Sequence, residues 1–133
     1  MKTIQEIEDI IVSAVDNQRA KGIILYHNES WFYAHFNISK EACVLGCVLL
    51  EDQEFDILNS ISSKVSGNEE ILSLLSSKLE CPKNLVALIS AGYEHFEPCS
   101  IYGTGIEGTL QELTQEEKDY FALGTKLADR FIG

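Results

Sequence analysis

Apolar residues at the start of the chain fall at three- and four-residue steps. Ile4, Ile7, Ile11, Ala14 and Val15 form one stripe on a helical period, so this stretch is predicted to be an amphipathic helix. Thr3 and Glu6 have capping-box spacing: the hydroxyl accepts from the N3 amide while the carboxylate reaches back to the cap. Arg19 and Lys21 suit the negative end, and Gly22 suits the C′ position just past it.

The period then changes. Ile23–His27 and Ser30–Phe36 are rich in β-branched and aromatic residues and flank Asn28-Glu29, which predicts a β-hairpin. A two-residue turn would put Ile23, Leu25, Phe32, Ala34 and Phe36 on one sheet face. Ile24, Tyr26, Trp31, Tyr33 and His35 would lie on the other. The apolar run Ala42–Leu50 reads as a third strand continuing the meander.

Helical spacing returns with Phe55, Leu58, Ile61 and Val65, preceded by the acidic residues Glu51, Asp52, Glu54 and Asp56 and ended by Gly67. A further helix is expected to be capped by Asn68, with Ile71, Leu72, Leu75 and Leu79 inward and Pro82 closing it. Leu85–Tyr93 is open to two readings, since Asn84 could equally cap a helix; the short apolar run and the Ala91-Gly92 break favour a buried strand. Glu97–Gly108 reads mostly as loop, with a short strand at Ser100–Tyr102, and Thr109–Leu113 as an edge strand. Thr114 and Glu117 repeat the capping box before a stripe of Tyr120, Leu123, Leu127 and Phe131.

This order predicts a single α+β domain over residues 1–133. An antiparallel sheet of about four to five strands, a three-stranded meander first, would be packed by N-terminal, central and C-terminal helices.

Composition narrows the partners more than the fold. The chain carries 21 acidic and 10 basic residues, a net charge of −11, with 45% hydrophobic residues. Such a chain can bury a core, but its surface is negative, which disfavours nucleic acid and anionic membranes and favours basic protein surfaces. The N-terminus lacks the apolar stretch of a signal peptide, and Ala42–Leu50 is too short to span a bilayer. A cytoplasmic protein is expected.

The four cysteines are Cys43, Cys47, Cys81 and Cys99. On a strand, Cys43 and Cys47 would be separated by roughly 13 Å, beyond the reach of about 7 Å between Cα atoms that a disulfide allows. Buried thiols are therefore expected, with a Cys81–Cys99 bridge left open. Cys43 and Cys47 have CxxxC spacing rather than zinc-type CxxC, and His95, Glu97 and Cys99 alternate only along a loop, so no metal and no cofactor is expected. A thiol enzyme would need a cysteine near His27, His35 or His95 in surroundings that favour thiolate, and the acidic setting opposes this.

Gly103-Thr104-Gly105-Ile106-Glu107-Gly108 matches the GxGxxG pattern of dinucleotide sites. Only 25 residues follow it, and they hold a helix from Thr114, so the second strand of a Rossmann unit has no room. No Lys or Arg lies between Lys83 and Lys118 to neutralise a phosphate. The glycines read as a surface turn.

The aromatic stripe Tyr26, Trp31, Tyr33 and His35 is the strongest surface candidate, because such residues are enriched at binding hot spots. Together with Tyr102, Gly103, Thr104 and Gly105 it makes the expected partner- or ligand-binding set, with no catalytic residue assigned. The sequence reads best as a small acidic non-catalytic module that binds a protein with a basic surface, as an inhibitor, immunity protein or chaperone would. A homodimer is compatible with it. Two alternatives stand beside it: a small-molecule or nucleotide binder with a pocket near the glycine-rich loop, and a small thiol-dependent enzyme.

Overall fold

The computed structural model describes residues 1–25, 36–37, 40–62, 67–94 and 113–132. Helix α1 spans Ile4–Ala20 and begins as its sequence dictates. The Thr3 hydroxyl accepts from the Glu6 amide at 3.1 Å, and the Glu6 carboxylate accepts from the Thr3 amide at 3.0 Å. Those bonds to Thr3 hold the Glu6 carboxyl below its ordinary range. At the other end the Gly22 amide donates to Arg19 and the Ile23 amide to Gln18, both at 3.0 Å. This Schellman pair needs a left-handed residue at C′, and Gly22 supplies it at φ 100°. Ile7, Ile11, Ala14 and Val15 are buried, as the stripe requires.

Three two-residue strands follow: β1 (Ile24–Leu25), β2 (Phe36–Asn37) and β3 (Glu41–Ala42). Their order is β1-β3-β2, with β1 parallel to β3 and β2 antiparallel to it. Strand β2 joins β3 through Lys40 at φ 60°, and β1 has β3 as its neighbour where the expected meander would place β2. Strand propensity marks which residues extend but not which strands pair. The expected Asn28-Glu29 turn and most of its two arms lie outside the described residues.

The third strand is replaced by a helix. Cys43 caps α2 (Val44–Leu50), its Sγ accepting from the Gly46 amide at 3.3 Å. Every residue from Ala42 to Leu49 is buried, so the helix has no polar face to reveal its period, and a short apolar run is equally consistent with a buried strand. On this helix the distance argument against a Cys43–Cys47 bridge no longer applies, since one turn places their Cα atoms about 6 Å apart. Cys43, Cys47 and Cys81 are nonetheless buried thiols. Cys99 lies outside the described residues.

Glu51 belongs to the end of α2, not to the next helix. That helix, α3, spans Phe55–Ser62 and buries Leu58, while α4 spans Gly67–Leu79 and buries Ile71, Leu72, Leu75 and Leu79. Gly67 thus opens α4, and Asn68 lies within the helix instead of capping it. Helix α4 closes with a second Schellman pair, Cys81 to Ser76 at 3.1 Å and Glu80 to Ser77 at 3.4 Å. Here the left-handed position is held by Glu80 at φ 50°, a conformation that disfavours a residue with a Cβ. Its carboxylate meets Lys2 at 2.7 Å, which holds the Glu80 carboxyl below its ordinary range.

By its backbone contacts the chain forms two compact units. One holds α1 to α4 and the small sheet; the other holds the next two helices. In the first, α2 packs on α1, α3, α4 and β3.

In the second unit, the expected strand Leu85–Tyr93 is helix α5 (Lys83–Glu94), whose first amide bonds run to the Pro82 carbonyl. All residues from Leu85 to Glu94 are buried, which again removes the helical period from view. Helix α6 (Gln115–Phe131) opens with the expected box, Thr114 accepting from the Glu117 amide at 3.1 Å and Glu117 from the Thr114 amide at 2.9 Å. Tyr120, Leu123 and Leu127 are buried. The two helices meet at facing glycines. A Cβ on Gly92 would lie 2.0 Å from the Phe121 carbonyl oxygen, and one on Gly124 would lie 2.0 Å from that of Ile89. The Ala91-Gly92 break is therefore a notch for a neighbouring helix.

The expected antiparallel sheet is overturned: the described residues are 76% helical, with six helices among them, and their strands are two residues each. The strand expected at Ser100–Tyr102, and residues 109–112 of the expected edge strand, lie outside the described residues. Among the described residues no helix is long and apolar enough to cross a membrane.

Replacing Gly124 or Gly92 by Ala should each destabilise the protein by about 3 kcal/mol, as overpacking against rigid backbone does. The double variant should lose less than the sum, because one displacement of α5 from α6 relieves both clashes. Urea unfolding midpoints test this. Glu80→Gly should raise the thermal midpoint by releasing the left-handed glutamate, while Lys2→Ala, which breaks only an exposed ion pair, leaves it nearly unchanged.

Candidate functional site

The first unit places more apolar residues on α3 and α4 than its core uses. The core side of α3 is Leu58, fully buried, with Phe55 half-buried beside it. Ile57 and Ile61 stand one turn apart on a neighbouring strip of the same helix, Ile57 51% exposed and Ile61 half-buried. On α4, Leu74 sits beside the buried stripe and one turn after Glu70. Ile61, Leu74, Ser73, Glu69 and Glu70 line an open groove of about 520 Å³. Its floor is apolar and its acidic edge comes from the first turn of α4.

The electrostatics of this region are one-signed. Glu54, Asp56, Glu69 and Glu70 are all exposed, and among the described residues no basic side chain lines the groove. The nearest cation along α4, Lys78, is ion-paired with Asp52.

A second, shallower cleft of about 380 Å³ opens where α1, α2 and α4 meet, with Asp9, Ser13, Glu51 and Lys78 among its lining. Glu51 is already held there. Its two carboxylate oxygens accept from the Asn17 amide at 2.8 Å and the Gln18 amide at 2.5 Å. Gln18 is 4% exposed, so this bond satisfies a buried polar group. The arrangement ties the end of α2 to α1.

The sulfur chemistry is that of packing. Cys47 is fully buried, and burial together with the neighbouring Glu51 carboxylate pushes its thiol up to about 12. At neutral pH it is therefore protonated, the opposite of an activated nucleophile. Cys43 accepts a helix-capping bond through its sulfur. Among the described residues no group of three or more His, Cys, Asp or Glu side chains could hold a metal ion.

The residues expected to form the binding surface, Tyr26, Trp31, Tyr33, His35, Tyr102, Gly103, Thr104 and Gly105, all lie outside the described residues, as do the three histidines. Sequence reasoning misses the α3/α4 groove, although the groove leaves a trace there. Leu74 falls off the stripe that accounts for the buried side of its helix, whereas Ile61 sits on the expected stripe of α3. An apolar residue off the core stripe is a surplus that folding does not require.

The Cys47 thiol carries a pH signature. Its pKa is raised on folding, so its contribution is fully present below the unfolded value of about 8.5 and is lost as pH rises toward about 12. Over that window the wild type should lose up to about 1.4 kcal/mol per pH unit more than Cys47→Ala. The variant is less stable at neutral pH but has the flatter profile, and denaturant titrations across alkaline pH measure the difference in slope.

Comparison with known proteins leaves the argument on these residues: no protein-family model, no curated protein and no solved structure matches the chain.

Proposed function

We propose that this chain is a small acidic non-catalytic protein-binding module, acting on a partner protein as an inhibitor, immunity protein or chaperone does. One observation carries the reading: the exposed carboxylates Glu69 and Glu70 of α4 border an open apolar groove between α3 and α4 that has no Lys or Arg among its described lining. An apolar floor gains free energy when covered, and a one-signed edge selects what covers it.

The partner is a protein with a basic surface. A net charge of −11 speeds encounter with such a target and repels the phosphates of nucleic acid and of anionic membranes. The polar clusters of the first unit support the same reading, since Asn17, Gln18, Glu51, Asp52 and Lys78 are engaged with one another. The thiols at Cys43, Cys47 and Cys81 suit a reducing compartment, so the proposed location is the cytoplasm.

Affinity capture from the native source at low ionic strength should retain a basic partner in stoichiometric amount. Raising the salt to about 0.5 M should release most of it, because exposed charges are then screened within a few ångströms. Absence of any stoichiometric protein at low salt would overturn the reading.

A further inference from the structure

We propose that the α3/α4 groove is the seat for an amphipathic, basic helix presented by the partner protein, an inference that rests on the protein-binding reading above. Three features converge on that occupant. The first is shape. Two adjacent helices leave an open furrow bordered by their side-chain ridges, and a third helix fills such a furrow with side chains at i, i+3, i+4 and i+7. Helix α3 has 8 residues, so the furrow offers a length of about 12 Å, two to three turns of a partner helix.

The second feature is the floor. Ile61 and Leu74 line it, both half-buried, and leave apolar surface that the helices' own core does not cover. Macrodipole compensation accounts for Glu69 and Glu70 in the first turn of α4, but it requires no isoleucine or leucine beside them.

The third feature is charge. Glu69 and Glu70 line the groove, Glu54 and Asp56 are exposed at the start of α3, and among the described residues no Lys or Arg lines the groove. A helix with Leu or Ile on one face and Lys or Arg flanking it would cover the floor and place cations against these carboxylates. An acidic helix with the same apolar face would meet like charge and be rejected.

The test uses the full chain and two fluorescent synthetic helices of about 14 residues with identical leucine positions, one completed with lysine and the other with glutamate. Fluorescence anisotropy should show binding of the lysine peptide and none of the glutamate peptide. Ile61→Ser combined with Leu74→Ser should weaken binding about tenfold or more, the loss typical of truncating central apolar anchors. Glu69→Gln with Glu70→Gln should weaken it severalfold and flatten its salt dependence. Glu116→Gln with Asp129→Asn, which removes equal charge from α6 at residues that do not line the groove, should weaken binding less than the Glu69/Glu70 change. Circular dichroism and unfolding midpoints establish that each variant is folded, and the Glu69/Glu70 pair, being exposed, keeps the test decisive if the apolar pair unfolds.

Equal binding of both peptides, or equal loss in the α6 control, would overturn the proposal. So would a concentration-dependent dimer in sedimentation that Ile61→Ser abolishes, since the occupant would then be a second copy of this chain. The outcome is separable from the broader reading. A native partner still captured by the Ile61→Ser/Leu74→Ser variant would move the interface elsewhere while leaving protein binding standing.

Discussion

A helix without a polar face must be covered on every side, and α2 imposes this condition on the first unit. Val44 to Leu49 are all buried, in a helix of 7 residues too short to hold itself together in water. Its stability comes from what packs around it, and α1, α3, α4 and β3 supply that cover. The apolar stripes of α1 and α4 are directed accordingly: Ile7, Ile11 and Val15 on one, Ile71, Leu75 and Leu79 on the other, all at or near zero exposure. The polar end of α2 is fixed by the same logic. Its last carbonyls emerge at Glu51, and Asn17 and Gln18 of α1 take up that carboxylate, so a buried amide and an exposed acid satisfy each other at the edge of the core.

The second unit meets an equivalent demand by a different device. Helix α5 is buried from Leu85 to Glu94, and α6 approaches it closely enough that each contributes a glycine where the other's backbone passes. Large side chains fill space, but they also hold helices apart. Removing the Cβ at Gly92 and Gly124 brings backbones together and lets the Thr125 hydroxyl reach the Gly92 carbonyl at 3.5 Å. Close approach multiplies dispersion contacts along the whole interface, which offsets the lower helix propensity of glycine.

These two devices explain what can be read from the sequence and what cannot. Helices α1 and α6 are legible to within a residue, because half of each faces water. Their stripes keep a helical period, and Thr3, Glu6, Thr114 and Glu117 mark their starts in local chemistry alone. Helices α2 and α5 read as strands because complete burial makes every position apolar and erases the period that distinguishes the two. At Gly92 the error has a second source: a glycine demanded by a neighbouring helix looks, in one dimension, like a break. The sheet fails for a further reason. Ile24, Phe36 and Ala42 do extend, but their pairing is set by the turn at Lys40 and by the packing of α2, both invisible to propensity.

The candidate site is recoverable only in hindsight, and the reason bears on how it works. A core stripe announces itself by recurrence, whereas Leu74 is a single apolar residue beyond its helix's buried side, and Ile61 is hidden within the stripe of α3. Only the approach of α3 to α4 makes Ile61 and Leu74 neighbours in one groove. Exposed singly, such residues are ordinary. Gathered beside Glu69 and Glu70, they form a surface with two incompatible demands on the solvent, since water suits the carboxylates but not the floor. A partial cover of the same chain could satisfy the floor, yet it would need basic residues to sit against the edge. The chain has 10 such residues against 21 acids, and Lys78 and Lys2 are already committed to Asp52 and Glu80. The charge imbalance and the groove are thus two sides of one property: the complement that this surface calls for is scarce within the chain itself.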